Sequence, residues 1–238
     1  GKTSLVQQLC EPLTQGGGFF LTGNFDQLHR TEPLSVIIDA FAGYCDVVVE
    51  TSKTNDSNYI TKTRVAIQQA LGHEGINALT NIIPNTRRLL STSSTEESQN
   101  YRLRVGGENA QHWVHFIFRA FMCAIANTSH PIVLFLDNLQ WADVASLDLI
   151  HALCNDTDSK SFLFIGCYRD NEVDERHPLS KFLDQMEKKK SATITKIAAT
   201  KMSKEAVNDM VSDVLRTPKY VTEPLAAIVD RKTNGNPL

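Results

Sequence analysis

The chain has 238 residues, of which 42% are hydrophobic and 21% are charged, as is typical of a globular protein with one or two domains. A formal net charge of −3 gives no basic surface of the kind that nucleic-acid-binding proteins use, so a nucleic-acid partner is not expected. No apolar run approaches the about 20 residues of a membrane-spanning helix. The five cysteines lack C-x-x-C spacing, which is typical of reduced thiols in an intracellular, cytoplasmic protein.

The chain begins with part of a phosphate-binding pattern. Gly1, Lys2, Thr3 and Ser4 form the last part of the pattern G-x-x-x-x-G-K-S/T. In that pattern backbone N–H groups cradle phosphates, the lysine reaches the β- and γ-phosphates, and the hydroxyl binds Mg²⁺. Taken alone, these residues also fit an ordinary helix start. The upstream glycines, the strand before them and an initiator Met are missing, so we expect an internal piece of a longer protein.

The first predicted elements follow at once. Residues 3–13 predict a helix that breaks near Pro12, and residues 19–22 predict a strand. The next helix has one apolar face with helical spacing, formed by Ile37, Ala40, Phe41, Tyr44 and Val48.

The middle of the chain alternates between polar and helical segments. Polar residues dominate positions 51–58 and predict a loop, which two helices separated by Gly72 follow. Residues 91–100 are rich in Ser, Thr and Glu and predict a mobile, solvated segment. Residues 109–126 predict another amphipathic helix.

The most informative strand lies near the centre of the chain. Residues 132–136 are apolar without a break, which predicts a strand buried on both faces of a parallel sheet. Ligands sit at the carboxyl ends of strands in such sheets, so Asp137 is expected to hold Mg²⁺ beside nucleotide phosphates, the Walker B arrangement. Strand-end aspartates also cap helices. The prediction therefore depends on the combination of Asp137 with Lys2 and Thr3.

The remaining elements complete the predicted fold. Residues 162–168 predict a strand, residues 192–198 alternate weakly and predict the last core strand, and only helices follow Ser203. We expect an α/β P-loop NTPase core at residues 1–200, a three-layer sandwich with a parallel sheet, and the start of an α-helical lid at residues 201–238. The strand that precedes the phosphate loop lies between the last two core strands in this fold, so those two should not pair.

Several stretches of the chain resemble the AAA-type predicted ATPase domains of the STAND class, which are origin-recognition-like AAA modules of signal-transduction NTPases. These stretches are residues 23–27, 135–143 with Ser146 and Leu147, 166–173, 177–179 and 232–238. Similar modules are attached to serine/threonine kinases, histidine kinases and nucleotide cyclases. The resemblance therefore implies an attached or associated signalling effector domain of kinase or cyclase type, and it leaves oligomerisation open.

The resemblance also implies ATP and Mg²⁺ as cofactors. Lys2 and Thr3 would contact phosphate and Mg²⁺, and Asp137 would be the Walker B acid. Pro237 would pack near the adenine base from the lid; the alternative is a proline that ends a helix.

Two positions after the strands bear on turnover. Arg169 would sense the γ-phosphate, or else form a salt bridge with Asp170 or Glu172. Members of the class usually carry two acids at the end of the Walker B strand, but the second position here is Asn138. An amide can position water but cannot accept its proton, and Asp143 is the substitute candidate. We expect a slow ATPase that acts as a switch; the alternative is a non-hydrolysing ATP-bound scaffold or protein-interaction module.

Overall fold

The computed structural model describes residues 1–27, 32–54, 57–91, 108–156, 158, 161–189, 192–233 and 235. Pro237 and residues 92–100 of the predicted polar segment lie outside the described residues. The chain divides into two compact units, one formed by Gly1–Gln8 with Thr195–Leu238 and the other by Leu9–Ile194. The predicted domain boundary at residue 200 stays a prediction.

The described elements are, in chain order, α1 (Lys2–Gln7), α2 (Cys10–Gln15), β1 (Phe19–Asn24), α3 (Ser35–Thr54), α4 (Ser57–Ile82), α5 (Thr86–Leu90), α6 (Glu108–Ile125), β2 (Ile132–Asp137), α7 (Val144–Cys154), β3 (Phe162–Gly166), α8 (Pro178–Lys189), α9 (Lys204–Leu215) and α10 (Lys219–Thr233). Short 3-10 helices follow β2 at Leu139–Trp141 and β3 at Asp170–Glu172. The predicted α/β class is confirmed.

The strands of the described part of the chain form one parallel sheet in the order β1-β2-β3. The apolar residues of β2, the central strand, are all buried, which confirms the predicted strand with two buried faces. The register pairs Asn24 with Asp137, so the carboxyl ends of β1 and β2 meet at one edge of the sheet.

One face of the sheet packs on the main hydrophobic core. Leu21 and Leu134 are register partners in β1 and β2, and both are buried in this core with residues of α3, α6 and α7. The predicted apolar face of α3 is confirmed, since all five of its residues are buried here: Ile37, Ala40, Phe41, Tyr44 and Val48. Each large apolar side chain contributes roughly 1.5–3 kcal/mol on burial, so this packing holds the strand ends in place.

Two predictions about helix breaks had different outcomes. The break at Gly72 is confirmed: Gly72 interrupts α4 with φ 60° and ψ −172°, a conformation that glycine adopts readily. The first helix breaks at Gln8–Leu9 and not near Pro12. Pro12 is the third residue of α2, where a backbone N–H has no intrahelical acceptor, so proline fits there.

The predicted loop at residues 51–58 is largely wrong. Helix α3 continues to Thr54 and α4 begins at Ser57, while residues 55 and 56 lie outside the described residues. The apolar face of α3 is anchored in the core as far as Val48, and such packing extends a helix into residues whose own preference is weak.

The predicted core strand at residues 192–198 is also wrong, because these residues form neither helix nor strand. An extended segment leaves its N–H and C=O groups unpaired unless a strand lies beside it. Among the described residues β3 pairs with β2 alone. Because residues 192–198 form no strand, the predicted gap between them and residues 162–168 stays a prediction. Ile197 is 78% exposed, so the weak alternation buries too little apolar surface to hold a strand.

The smaller unit is helical after Ser203, as the sequence predicts. Val207 and Val211 of α9 pack against Ala226 of α10, and the hydroxyl of Thr222 donates to Asn208 Oδ1 at 2.7 Å. None of the described helices is long and apolar enough to cross a membrane. No disulfide joins the five cysteines, all of which lie in the described part of the chain.

Candidate functional site

Polar side chains gather where the parallel strands end. Asn24 ends β1, Asp137 ends β2, and Arg169 follows β3. The sequence analysis missed Asn24, whose Oδ1 accepts a hydrogen bond from Asn138 Nδ2 at 2.8 Å. A polar residue at a strand end was the available signal, but only the pairing of β1 with β2 shows which side chain it meets.

Asn138 turns the chain sharply after β2. Its backbone is left-handed, with φ 56° and ψ 44°. That conformation costs most L-residues roughly 1–2 kcal/mol, and Asn and Asp tolerate it best. The turn lets the Asn138 N–H donate to Asp137 Oδ1 at 2.8 Å, and it lets the Leu139 N–H donate to the Cys167 carbonyl at 2.9 Å. The identity of Asn138 therefore has a conformational cause that is independent of catalysis.

Gln140 is a buried polar residue that the sequence analysis did not single out; only 2% of it is exposed. Its Nε2 donates to Asn138 Oδ1 at 3.4 Å and to Glu172 Oε2 at 3.3 Å. Its Oε1 accepts from the backbone N–H of Arg169 at 3.3 Å. One buried amide thus connects the end of β2 with the segment that follows β3.

Arg169 forms the salt bridge that was the alternative to a sensor role. Its Nη1 donates to Glu172 Oε1 at 2.9 Å, and its guanidinium carbon lies 5.8 Å from the centroid of the Trp141 ring. A guanidinium carries further N–H donors, and the Arg169 side chain is 54% exposed, so the salt bridge leaves room for contact with an anion. The sensor role stays a prediction.

Asp143, the substitute candidate for the base, caps α7. Its Oδ1 accepts from the backbone N–H of Ser146 at 2.8 Å, and its Oδ2 accepts from the Ser146 hydroxyl at 2.5 Å. A cap of this kind contributes about 1 kcal/mol. Because both carboxylate oxygens serve the cap, Asp143 is poorly suited to take a proton from water.

A cleft of about 740 Å³ lies beside the strand ends. Its lining includes Asn24, Gln140, Trp141 and Asp143. This volume falls in the range of small-molecule sites. Asn24 at the end of β1 and the residues from Gln140 onwards border it, whereas Asp137, Asn138 and Arg169 are not among its lining residues.

Gly1, Lys2, Thr3 and Ser4 lie at the start of the other compact unit. Lys2 is the first residue of α1, and the Leu5 N–H donates to the Gly1 carbonyl at 3.1 Å. The predicted helix after the phosphate-binding residues is therefore present. Because Asp137 belongs to the larger unit, a common site of Lys2, Thr3 and Asp137 stays a prediction.

The available donors fit Mg²⁺ in the way that nucleotide sites hold it. Within the described residues, no group of three or more His, Cys, Asp or Glu side chains could hold a metal ion by itself. Mg²⁺ usually takes one or two carboxylates and completes its shell with phosphates and water. The carboxylate of Asp137 at a strand end and the hydroxyl of Thr3 are oxygen donors of the required kind.

A parallel α/β sheet whose central strand ends in an acid, in a chain that begins Gly-Lys-Thr, defines the P-loop NTPase class. A family model described as "AAA ATPase domain" matches residues 1–165. The chain belongs to this AAA ATPase domain family of nucleotide-binding proteins.

One similar protein is the hybrid signal transduction histidine kinase G of Dictyostelium discoideum. The chain is 30% identical to it over 154 residues, which is 64% of this chain and 4% of that protein. The chain thus spans a small part of this relative's length. No solved structure matches the chain significantly.

Proposed function

We propose that the chain is a STAND-class ATP-binding module of a larger signalling protein, and that it hydrolyses ATP slowly so that its nucleotide state acts as a switch. The observation that carries this proposal is the hydrogen-bonded arrangement of Asp137, Asn138 and Arg169 at the strand ends. The family supports nucleotide binding, and the name of the histidine kinase relative supports a signalling context with an effector domain of kinase or cyclase type.

In this proposal the backbone N–H groups of residues 1–4 cradle the phosphates and Lys2 neutralises the β- and γ-phosphates. Thr3 and Asp137 hold Mg²⁺, which when bound offsets the negative charge of the phosphates. Pro237 packs near the adenine base, and the helices after Ser203 act as the lid.

Hydrolysis forms a bond between a water oxygen and the γ-phosphorus and breaks the bond to the β,γ-bridging oxygen, which yields ADP and phosphate. Asn138 can orient the water but cannot take its proton, and a general base is typically worth about 10²–10⁴-fold in rate. Arg169 interacts with the charge on the γ-phosphate. The expected result is tight binding with slow turnover.

The alternative is an ATP-bound scaffold that does not hydrolyse ATP. Its support is that the Asn138 amide already contacts Asn24 and Gln140, which occupies groups that would otherwise hold water. Measured turnover of ATP by the unaltered protein separates the two proposals, because the scaffold shows none.

ATP titration tests the binding site in the natural full-length chain that carries the complete phosphate loop. We expect Lys2→Ala to abolish ATP binding, because it removes the charge that pairs with phosphate. Asp137→Ala should remove the Mg²⁺ dependence of binding. Lys181→Ala and Asp184→Ala are matched controls, because both side chains are exposed on α8.

The controls should bind ATP like the unaltered protein. Equal ATP affinity of the unaltered protein, Lys2→Ala and Asp137→Ala would show that the site assignment is wrong.

A further inference from the structure

A chain of hydrogen bonds crosses the carboxyl ends of the whole described sheet. The Arg169 N–H donates to Gln140 Oε1, Gln140 Nε2 donates to Asn138 Oδ1, and Asn138 Nδ2 donates to Asn24 Oδ1. Arg169 follows β3, Gln140 and Asn138 follow β2, and Asn24 ends β1. We call this series of bonds the strand-end relay.

The Arg169 backbone N–H and the Glu172 carboxylate fix the direction of the relay. A backbone N–H can only donate, so the Gln140 atom that faces Arg169 must be the carbonyl oxygen. The Gln140 amide nitrogen then faces Asn138 and the carboxylate of Glu172, which can only accept. Each bond therefore has one possible donor, and a change at Arg169 alters the hydrogen bonding of Asn138.

Burial makes Gln140 the critical member of the relay. Arg169 is half exposed, whereas Gln140 is 2% exposed and has little water with which to replace a lost partner. Leaving one buried donor or acceptor unpaired costs roughly 1–3 kcal/mol. The amide therefore favours a single arrangement of Asn138 and Arg169 over alternatives in which either moves alone.

We propose that Gln140 is a positioning residue that makes Asn138 and Arg169 respond to the γ-phosphate as one unit. This inference rests on the proposed ATP site and adds the residue that couples its two strand-end members. A change in the position of Arg169 also alters the surroundings of Trp141, because the Arg169 guanidinium lies over the Trp141 ring. Trp141 fluorescence should therefore differ between the ATP and ADP states.

The test replaces Gln140 with methionine in the natural full-length chain. Methionine has a similar volume and removes all hydrogen bonds of the side chain. We expect ADP affinity to change by less than about threefold and the preference for ATP over ADP to fall about tenfold, the effect of one lost hydrogen bond. The emission difference between the ATP and ADP states that Trp141 contributes, measured as the part that Trp141→Phe removes, should disappear in Gln140→Met.

A variant that merely loses a buried hydrogen bond serves as the control. Thr86 is fully buried at α5, and its hydroxyl donates to the Ile83 carbonyl at 2.6 Å. Thr86→Val should lower the unfolding temperature and leave the preference for ATP unchanged. A purely structural Gln140 would behave in the same way, so an unchanged preference in Gln140→Met overturns the inference.

A pair of substitutions that moves the carboxylate from position 172 to position 140 tests whether the lost ATP preference can be restored. Gln140→Glu places a buried carboxylate beside Glu172, and both the ATP preference and the stability should fall. Adding Glu172→Gln supplies an amide donor to the new carboxylate. It also removes the carboxylate that pairs with the Arg169 guanidinium, so Glu172→Gln alone is the reference for the double variant. The amides of Asn138 and Asn24 can then rotate, so that Asn138 donates to the new carboxylate and Asn24 donates to Asn138, while the Arg169 backbone N–H still donates to position 140. The double variant should regain most of the ATP preference.

The outcomes separate the two proposals. If the unaltered protein does not bind ATP, the proposed function fails and this inference fails with it. If it binds ATP but Gln140→Met keeps both the ATP preference and the fluorescence difference, this inference alone is wrong. If Gln140→Glu is impaired and addition of Glu172→Gln restores nothing, the relay is not the cause of the coupling.

Discussion

Replacing Asn138 with aspartate places a second carboxylate directly after Asp137. In the proposed mechanism this supplies the general base that the natural sequence lacks, and hydrolysis should accelerate. The left-handed backbone of Asn138 accepts aspartate nearly as well as asparagine, so the turn after β2 should persist. Asn138→Ala lacks this property and would confuse a conformational cost with a chemical effect.

The surrounding contacts set the expected size of the effect. Gln140 Nε2 can still donate to an aspartate oxygen, and Asn24 keeps its bond if its amide rotates to present Nδ2. The change in these hydrogen bonds should therefore alter stability by less than about 1 kcal/mol. Repulsion between the new charge and Asp137 lowers stability further, by roughly 1–4 kcal/mol for unit charges in close contact, and bound Mg²⁺ offsets it in part. We expect ATP affinity to stay within about tenfold and the rate to rise about 100-fold, the low end for a general base.

A single-turnover assay measures this directly, with protein in excess over ATP and phosphate release followed in time. Asn24→Asp is the matched control. It adds the same charge at the neighbouring strand end and retains an acceptor for Asn138 Nδ2, but it places no second acid at the end of β2. Only Asn138→Asp should accelerate hydrolysis.

Two results would refute this reasoning. Brisk turnover of the unaltered protein, with no change in Asn138→Asp, places the base elsewhere. Equal acceleration by Asn24→Asp shows that any negative charge at the strand ends suffices, so general-base chemistry is not the cause. If neither the unaltered protein nor Asn138→Asp hydrolyses ATP, the scaffold proposal is favoured.

Two further predictions concern the stability and reactivity of the fold. The Arg119 guanidinium donates to both oxygens of the Asp156 carboxylate and holds the pKa of Asp156 below its usual range. This pair therefore stabilises the fold above about pH 4, and the stabilisation is lost as acid protonates Asp156. Arg119→Ala should lower the free energy of unfolding by about 1–2 kcal/mol at pH 7 and by less as the pH falls below the usual range of aspartate, measured by urea denaturation against Arg231→Ala. An equal loss at every pH would contradict this. Burial raises the pKa of the Cys45 and Cys154 thiols to about 12. Iodoacetamide at pH 7.5 should therefore label both thiols in urea but not in the native protein, as measured by mass spectrometry. Rapid labelling of the native protein would contradict this.

The elements that could be predicted from sequence are those whose signal is local and strong. The unbroken apolar run of β2 predicts a buried strand, the helical spacing in α3 predicts its buried face, and Gly72 predicts the break in α4. Residues 192–198 show where this fails, because alternation forms a strand only when a neighbouring strand accepts its hydrogen bonds. Helical spacing alone does not predict burial either: Val214 of α9 lies at helical spacing from the buried Val207 and Val211 but is 76% exposed.

The candidate site was only half visible in the sequence. Asp137, Asn138 and Arg169 end or follow apolar strands, and that position alone marks them. Asn24 and Asn138 are 114 residues apart, and Gln140 and Glu172 are 32 apart, so no pattern of spacing indicates their contacts. From the sequence alone, Gln140 next to Trp141 would be taken for a packing residue. Only the fold shows the hydrogen-bond partners of its amide.

The relay gives the amide of Asn138 a role that a carboxylate cannot fill. In the proposed mechanism Asn138 accepts from Gln140 and donates to Asn24, which passes the state of β3 on to β1. A carboxylate has no N–H to donate, so Asn24 would have to turn, and both neighbours would then donate to the same acid. Asn138, whose amide cannot act as a base in the proposed mechanism, thus also links Gln140 to Asn24 across the sheet. In the proposed function, slow hydrolysis and coupled strand ends both depend on Asn138. Asn138→Asp should therefore raise the rate and reduce the difference in Trp141 emission between the ATP and ADP states.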